Sequence, residues 1–276
     1  MDLLIITVAG VGAELTAEQQ PNLPVTPEQV GADAARCQAA GASIYHLHVR
    51  DASGFPTMSI EAFAQARDAI TQNSDLIVQF TSGGAVTDTE GERIAPLDLR
   101  PEMASLTTGT VNFGSGVFWN PRSLIDGFYR RMRELGIVPE FEIFEPGMIA
   151  TAVGVASEAD HHLHFDLVLG VPGAMPAWDD SVSFLSAHLP EGSTWSATGI
   201  GRAHIPVAEQ AIELGGHVRT GFEDVRYLAP GELATSNAQL IARVAAMGRD
   251  RGREVATPDQ ARSLLGLERS AGTLAR

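Results

Sequence analysis

The sequence predicts a (β/α)8 barrel, and three observations lead there. Eight strand-like segments alternate with helix-like segments over about 250 residues. Most of the strand-like segments are runs of Val, Ile, Leu and Phe, the pattern of a parallel sheet covered on both faces. No GxGxxG follows the first of them, which leaves a doubly wound open sheet as the second choice.

The strand candidates, in order, are residues 3–8, 43–49, 76–81, 103–106, 141–144, 165–169, 195–198 and 217–221. The helix candidates are 27–40, 60–72, 121–135, 177–187, 206–214 and 233–246. The first helix follows Thr26, whose hydroxyl suits an N-cap, and stops near Gly41, which suits a left-handed C-cap. No linker, repeat or low-complexity stretch interrupts the alternation, so residues 1–276 read as one barrel domain with a short C-terminal extension. Residues 266–276 are polar and read as a loose tail or an oligomer contact.

With 276 residues, 44% hydrophobic and 19% charged, the chain can bury a sizeable core and is not disordered wholesale. No apolar run approaches the roughly 20 residues of a membrane helix. The opening MDLLIITVAG is apolar but lacks a basic region, so it reads as a strand rather than a signal peptide. One cysteine, Cys37, excludes a disulfide framework and a thiolate zinc cage, and a reducing, cytoplasmic setting is the expectation. A net charge of -15 argues against nucleic acid or an anionic membrane as a partner. All 19 basic residues are arginine. Without lysine there is no Schiff base, pyridoxal-phosphate or P-loop chemistry. Carbon–carbon chemistry would then need a metal or another cofactor.

The second strand ends Tyr45-His46-Leu47-His48-Val49-Arg50-Asp51. Residues i and i+2 of a strand share a face, so His46 and His48 would point together into the barrel near its C-terminal mouth. Two such imidazoles are either hydrogen-bonded core histidines or a metal pair. The last strand runs His217-Val218-Arg219-Thr220 and leads into Glu223 and Asp224. Glu223 could complete a His2Glu set with open positions, or the two acids could be an exposed loop pair. His217 could be a substrate contact or a support behind one. Other polar groups fall at or near strand ends: Glu14, Thr81 with Ser82-Gly83-Gly84, Ser105, and Glu140 with Glu142. An inward Glu142 would need a cation, a donor or a raised pKa. His161-His162-Leu163-His164 looks metal-like but precedes a strand, at the wrong end of a barrel, and reads as a polar loop. Gly170-Val171-Pro172-Gly173 reads as a turn that could approach a ligand.

Taken together, the segments resemble the β-keto acid cleavage enzyme family along essentially the whole chain. They include Gly12-Ala13-Glu14, Gln20-Pro21-Asn22-Leu23-Pro24, His46-Leu47-His48-Val49-Arg50-Asp51, Ser82-Gly83-Gly84 and Pro139-Glu140-Phe141-Glu142. Gly199-Ile200-Gly201-Arg202, Gly215-Gly216-His217-Val218-Arg219 and Gly221-Phe222-Glu223-Asp224 follow. The resemblance implies a (β/α)8 barrel with one zinc on His46, His48 and Glu223. It implies acetyl-CoA as co-substrate and a retro-Claisen cleavage of a β-keto acid to acetoacetate and a new acyl-CoA. Arg219 and Asp224 match the pair that manages the first proton transfer. Glu14, Thr81, Ser105 and Glu142 match substrate-pocket positions. Thr81 stands where the family has serine, and Ser105 where it has threonine, so both keep a hydroxyl. Glu14 and Glu142 would suit a substrate with an ammonium group, such as 3-keto-5-aminohexanoate of lysine fermentation. The resemblance also implies a homotetramer.

Two competing readings stand beside this one. The first is a metal-dependent aldolase-type lyase that does not use CoA. The second is a non-catalytic zinc-binding barrel acting as a scaffold.

Overall fold

The structure, a computed structural model, describes residues 3–157, 159 and 161–267. Eight parallel strands close into a barrel: β1 (Ile6–Ala9), β2 (Ile44–Leu47), β3 (Ile77–Phe80), β4 (Met103–Thr107), β5 (Val138–Ile143), β6 (His164–Leu169), β7 (Thr194–Gly199) and β8 (His217–Thr220). The order around the barrel is β1-β8-β7-β6-β5-β4-β3-β2, so each strand pairs with its sequence neighbours and β1 closes on β8. All C-terminal ends therefore share one face. The expected fold class is the observed one.

Strand alternation divides the side chains between two environments. Ile6, Tyr45, Leu47, Val78, Phe80, Leu106, Phe141 and Phe165 join the main apolar core with residues of the surrounding helices, such as Phe63 and Phe128. Ile5, Ile44, Ile77 and Met103, at or just before the strand starts, form a separate apolar plug with Ala256, Ala261 and Leu265. Above that plug the buried strand residues are polar: Gln79, Ser105, Glu140, Asp166, Ser196 and Thr198. This polar floor underlies the mouth of the barrel.

Helix α1 spans Pro27–Ala40, as its caps predict. Thr26 and Gln29 make a capping box, and Gly41 ends the helix in the left-handed region. Helices α2 (Ile60–Asn73), α3 (Glu90–Ile94), α4 (Arg122–Leu135), α5 (Pro146–Val155), α6 (Ser181–Ser186), α7 (His204–Glu213), α8 (Asn237–Asp250) and α9 (Pro258–Leu265) follow. Three departures from the sequence reading have local causes. The chain enters β1 late because Leu4 bridges to Val255 instead. Helix α8 starts at Asn237 rather than 233, because Ser236 caps it and Glu232–Leu233 pairs with Tyr227–Ala229 as a hairpin. Helices α3, α5 and α9 were not anticipated. Of these, α9 seals the barrel bottom, where Arg262 holds Glu102 at 2.6 and 2.9 Å. Gly266 caps α9, and residues 268–276 of the expected tail lie outside the described residues.

Among the described residues, three two-stranded hairpins follow barrel strands: Val49–Arg50 with Pro56–Thr57, Val111–Phe113 with Gly116–Phe118, and Tyr227–Ala229 with Glu232–Leu233. No helix among them is long and apolar enough to cross a membrane.

Candidate active site

β2 delivers His46, and His48 follows one residue beyond the strand end. Both Nε2 atoms approach Glu223 Oε1, at 3.7 Å from His46 and 3.6 Å from His48. Glu223 arrives from the loop after β8. That loop can pass close to β1 because residue 221 is glycine, where a Cβ would collide with the carbonyl oxygen of Ala9. Asn237, at the start of α8, fixes the loop further. Its side chain accepts from Phe222 N at 2.8 Å and donates to Gly10 O at 3.1 Å and Asp33 at 2.7 Å.

His46, His48 and Glu223 each offer a ligand atom within 4.8 Å of the others. A metal about 2 Å from each of three tetrahedral donors keeps those donors about 3.3 Å apart, against 3.7 and 3.6 Å from Glu223 to the two imidazoles. His46 Nδ1 donates to Gln79 Oε1 at 2.6 Å, which leaves the Nε2 lone pair free on the side of Glu223. Burial, with Arg219 nearby, lowers the His46 pKa to about 4, so the ring is neutral, as a metal ligand must be. Burial opposes ionisation of Glu223, but Arg219 and the two histidines outweigh it and hold the carboxylate ionised. The second carboxylate oxygen, Glu223 Oε2, is buried without a hydrogen bond. Two neutral imidazoles and one carboxylate suit zinc, and three protein donors leave a position open for substrate.

Arg219 extends from β8 into the centre of the mouth. It donates to Glu223 Oε1 at 2.5 Å, to Asp224 at 3.1 and 3.2 Å, and to Glu142 at 3.3 Å. Burial works against the guanidinium charge, and the carboxylates of Asp224, Glu223, Asp166 and Glu142 overcome it. Asp224 is pushed up by burial and by neighbouring Glu223, in spite of Arg219. Glu142, from β5, rises to about 7 because burial outweighs Arg219 and the 2.6 Å hydrogen bond from Thr107.

A cavity of about 250 Å³ opens over these groups. Its polar wall includes His46, His48, Thr81, Glu142, Arg219, Glu223, Asp224 and, at the exposed rim, Glu14. Its apolar wall is made largely by Val111, Phe113, Phe118, Phe144 and Val171.

Eight of the nine residues singled out from sequence therefore meet at one cavity. Ser105 does not: it is fully buried one layer down, beside Glu140, and the cavity wall takes Thr107 instead. On β4 the two hydroxyls share a face, and only the later one reaches the mouth. Nor does His217 reach it. It opens β8, at the strand's N-terminal end, where its Nδ1 accepts from Ile5 N at 3.2 Å. The His161/His162/His164 group is also away from the mouth. His161 and His162 bond Tyr129 and Thr194, while His164 is a buried strand residue facing Glu140 at 3.1 Å rather than part of a loop.

Three contributors went unassigned in the sequence. Thr107 and Gln79 are hidden by ordinary strand composition. Arg50 was visible in the histidine motif without a role. It donates to Gly12 O at 2.8 Å and Leu15 O at 2.7 Å, and so holds the loop that carries Glu14.

The sequence profile of the β-keto acid cleavage enzyme family matches residues 3–267. The chain is 44% identical over 273 residues to the 3-keto-5-aminohexanoate cleavage enzyme of Fusobacterium nucleatum, covering 98% of this chain and 100% of that one. It is 40% identical over 269 residues to the 3-oxoadipate:acetyl-CoA acetyltransferase of Cupriavidus necator, covering 95% and 94%. Among solved structures, ObcA in its complex with oxaloacetate superposes with a TM-score of 0.78 at 22% identity, over 90% of this chain and 68% of that one. The last likeness speaks for the fold alone. Matched along almost its whole length by the profile and by these relatives, the chain belongs to the β-keto acid cleavage enzyme family.

Proposed function

We propose that the protein converts a β-keto acid and acetyl-CoA to acetoacetate and a new acyl-CoA. The acid we assign is 3-keto-5-aminohexanoate, which would yield 3-aminobutyryl-CoA. Family membership and the names of the relatives support this reading. The observation that carries it is the convergence of a three-donor metal set and an arginine-gripped carboxylate on one cavity.

His46, His48 and Glu223 would hold zinc, which supplies a Lewis acid where enolate charge develops. Asp224 removes the proton between the keto and carboxylate groups of the acid. Arg219 orients Asp224 for that task and stays charged throughout. The resulting carbanion bonds to the thioester carbonyl of acetyl-CoA and expels the CoA thiolate. That thiolate adds to the substrate's original keto carbon. The bond from this carbon to its neighbour then breaks, and the proton returned by Asp224 completes acetoacetate. Atoms balance, and CoA ends on the acyl group that began as the β-keto acid. Thr81 and Glu142 bind and organise the substrate's polar end. Glu14, at the rim, faces the ammonium tail. We assign the chain a homotetrameric state and a cytoplasmic setting.

One observation favours a neutral tail instead. The valines and phenylalanines of the far wall would solvate an alkyl group better than an ammonium. The test is mass-spectrometric detection of acetoacetate and a new acyl-CoA. Zinc-loaded protein is given acetyl-CoA and β-keto acids with cationic, neutral and anionic tails. Product from the cationic acid is expected. Product only from neutral acids would replace the substrate assignment. Product formed without any acyl-CoA would install the lyase reading, and no product at all would favour the scaffold.

A further inference from the structure

A second cleft, of about 940 Å³, joins the first cavity. Glu14, Leu15, Ile200, Glu223 and Asp224 line both, so the two adjoin at that end. The second cleft lies beyond the ends of β7 and β8, and its wall carries Arg202, Arg226 and Arg243.

These three arginines differ from several others in the chain. Arg36, Arg67, Arg122, Arg131, Arg251 and Arg262 are each paired with a carboxylate. No carboxylate within ion-pair distance serves Arg202, Arg226 or Arg243 among the described residues. Arg226 lies over the ring of Tyr227, 5.6 Å from its centre, and Arg243 donates to the carbonyl of Leu228. Every acidic residue on the wall of this cleft belongs to the end shared with the first cavity. The cleft is thus polarised, with carboxylates at the reacting end and unneutralised guanidinium groups beyond it. In a chain of net charge -15, three arginines without a carboxylate partner make this cleft locally basic. The location also fits the fold, since barrels commonly take phosphate groups at the loops after strands seven and eight.

We infer that the second cleft takes the phosphorylated nucleotide end of the acyl-CoA, with Arg202, Arg226 and Arg243 on its phosphates and the thioester led to Asp224 through the shared end. This assignment rests on the proposed use of acetyl-CoA. It places the two substrates on separate walls, the acid under Phe113 and Phe118 and the nucleotide against the Tyr227 hairpin.

The test compares acetyl-CoA with acetyl-pantetheine, which offers the same thioester without the phosphates. Arg202→Ala and Arg226→Ala are the variants of choice, because neither side chain hydrogen-bonds the fold. Each should raise the KM for acetyl-CoA about tenfold, the size expected for one charge-assisted contact. The KM for the β-keto acid and the rates with acetyl-pantetheine should stay at wild-type values. Titration calorimetry of the wild type with 3′-phosphoadenosine 5′-diphosphate should show binding that the double variant loses. An unchanged KM for acetyl-CoA in both variants, with the wild type active, would overturn this site and leave the reaction standing. Equal losses with acetyl-CoA and acetyl-pantetheine would overturn it too, by pointing to a structural role. A wild type that neither binds the nucleotide nor uses any acyl-CoA would overturn the reaction and the site together.

Discussion

Arg219 grips Asp224 at two points, from Nε to Oδ2 at 3.2 Å and from its terminal nitrogen to Oδ1 at 3.1 Å. A planar guanidinium can hold a carboxylate in this way, and a lysine ammonium cannot. Asp224→Asn should lower kcat by about 10²- to 10⁴-fold, the usual span for a lost general base. Arg219→Lys keeps the charge and loses the fork, so it should also lower kcat. Metal content, read by atomic emission, should hold in Asp224→Asn. Near wild-type turnover in Asp224→Asn would remove this residue from the proton transfer.

Gln79 does not line the cavity, yet it sets the orientation of the His46 ring through its 2.6 Å contact with Nδ1. Gln79→Leu should therefore weaken metal binding about 10- to 100-fold, as other outer partners of metal-bound imidazoles do. Competition with a chromophoric chelator measures this directly. His46→Ala should lose both metal and activity. Turnover by metal-free His46→Ala protein would end the case for a catalytic metal.

Glu142 is engaged on both oxygens, by Arg219 at 3.3 Å and Thr107 at 2.6 Å. Such a group organises Arg219 rather than reading the charge of a tail. Glu142→Gln should then reduce kcat/KM on cationic and neutral acids by the same factor. Glu14, exposed at the rim, is the opposite case: Glu14→Gln should affect the ammonium-tailed acid selectively, by several fold in KM. A selective effect of Glu142→Gln would reverse these two roles.

His204 is buried against Thr220, whose hydroxyl lies 2.7 Å from its Nε2. Burial, with Arg243 adding to it, lowers its pKa to about 4. In the unfolded chain the ring titrates near 6.5. Between those values the unfolded state binds the proton and the folded state does not, so this residue's contribution to stability falls as pH drops from about 6.5 to about 4. The loss amounts to about 3 kcal/mol when complete. His204→Gln lacks it, so the stability gap between wild type and variant, from urea melts at pH 7 and pH 4, should shift by that amount in the variant's favour. A gap that does not move with pH would mean that the folded ring protonates normally.

The barrel was legible because eight short segments, most of them rich in Val, Ile, Leu and Phe, alternate with helical ones, the pattern of a covered parallel sheet. Helix α5 escaped notice because residues such as Met148, Ile149, Ala150 and Ala152 carry no polar stripe, so helical periodicity leaves no trace. Helix α9 carried a signal that was passed over, the Thr257-Pro258 start with Gln260 completing a capping box. The convergence of His46, His48 and Glu223 was legible from spacing on one strand and from the acids after the last. Ser105 and Thr107 were not separable, since alternation fixes the face of a strand and says nothing of depth along it. Arg202, Arg226 and Arg243 were invisible as a group, because 17 residues separate the last two and only the fold brings all three to one cleft.

Two of the hairpins wall neighbouring spaces. The Val111–Phe113 and Gly116–Phe118 ribbon walls the acid's cavity, while the ribbon beginning at Tyr227 walls the neighbouring cleft, and neither supplies a metal donor. Each ribbon is a loop excursion that the closed barrel tolerates without losing a strand. Exchanging the first would retune which acid is accepted while thioester exchange continues unaltered. The architecture is in this sense a chassis with two interchangeable fittings, and relatives named for acids as different as an amino-hexanoate and an adipate are what such a chassis would yield.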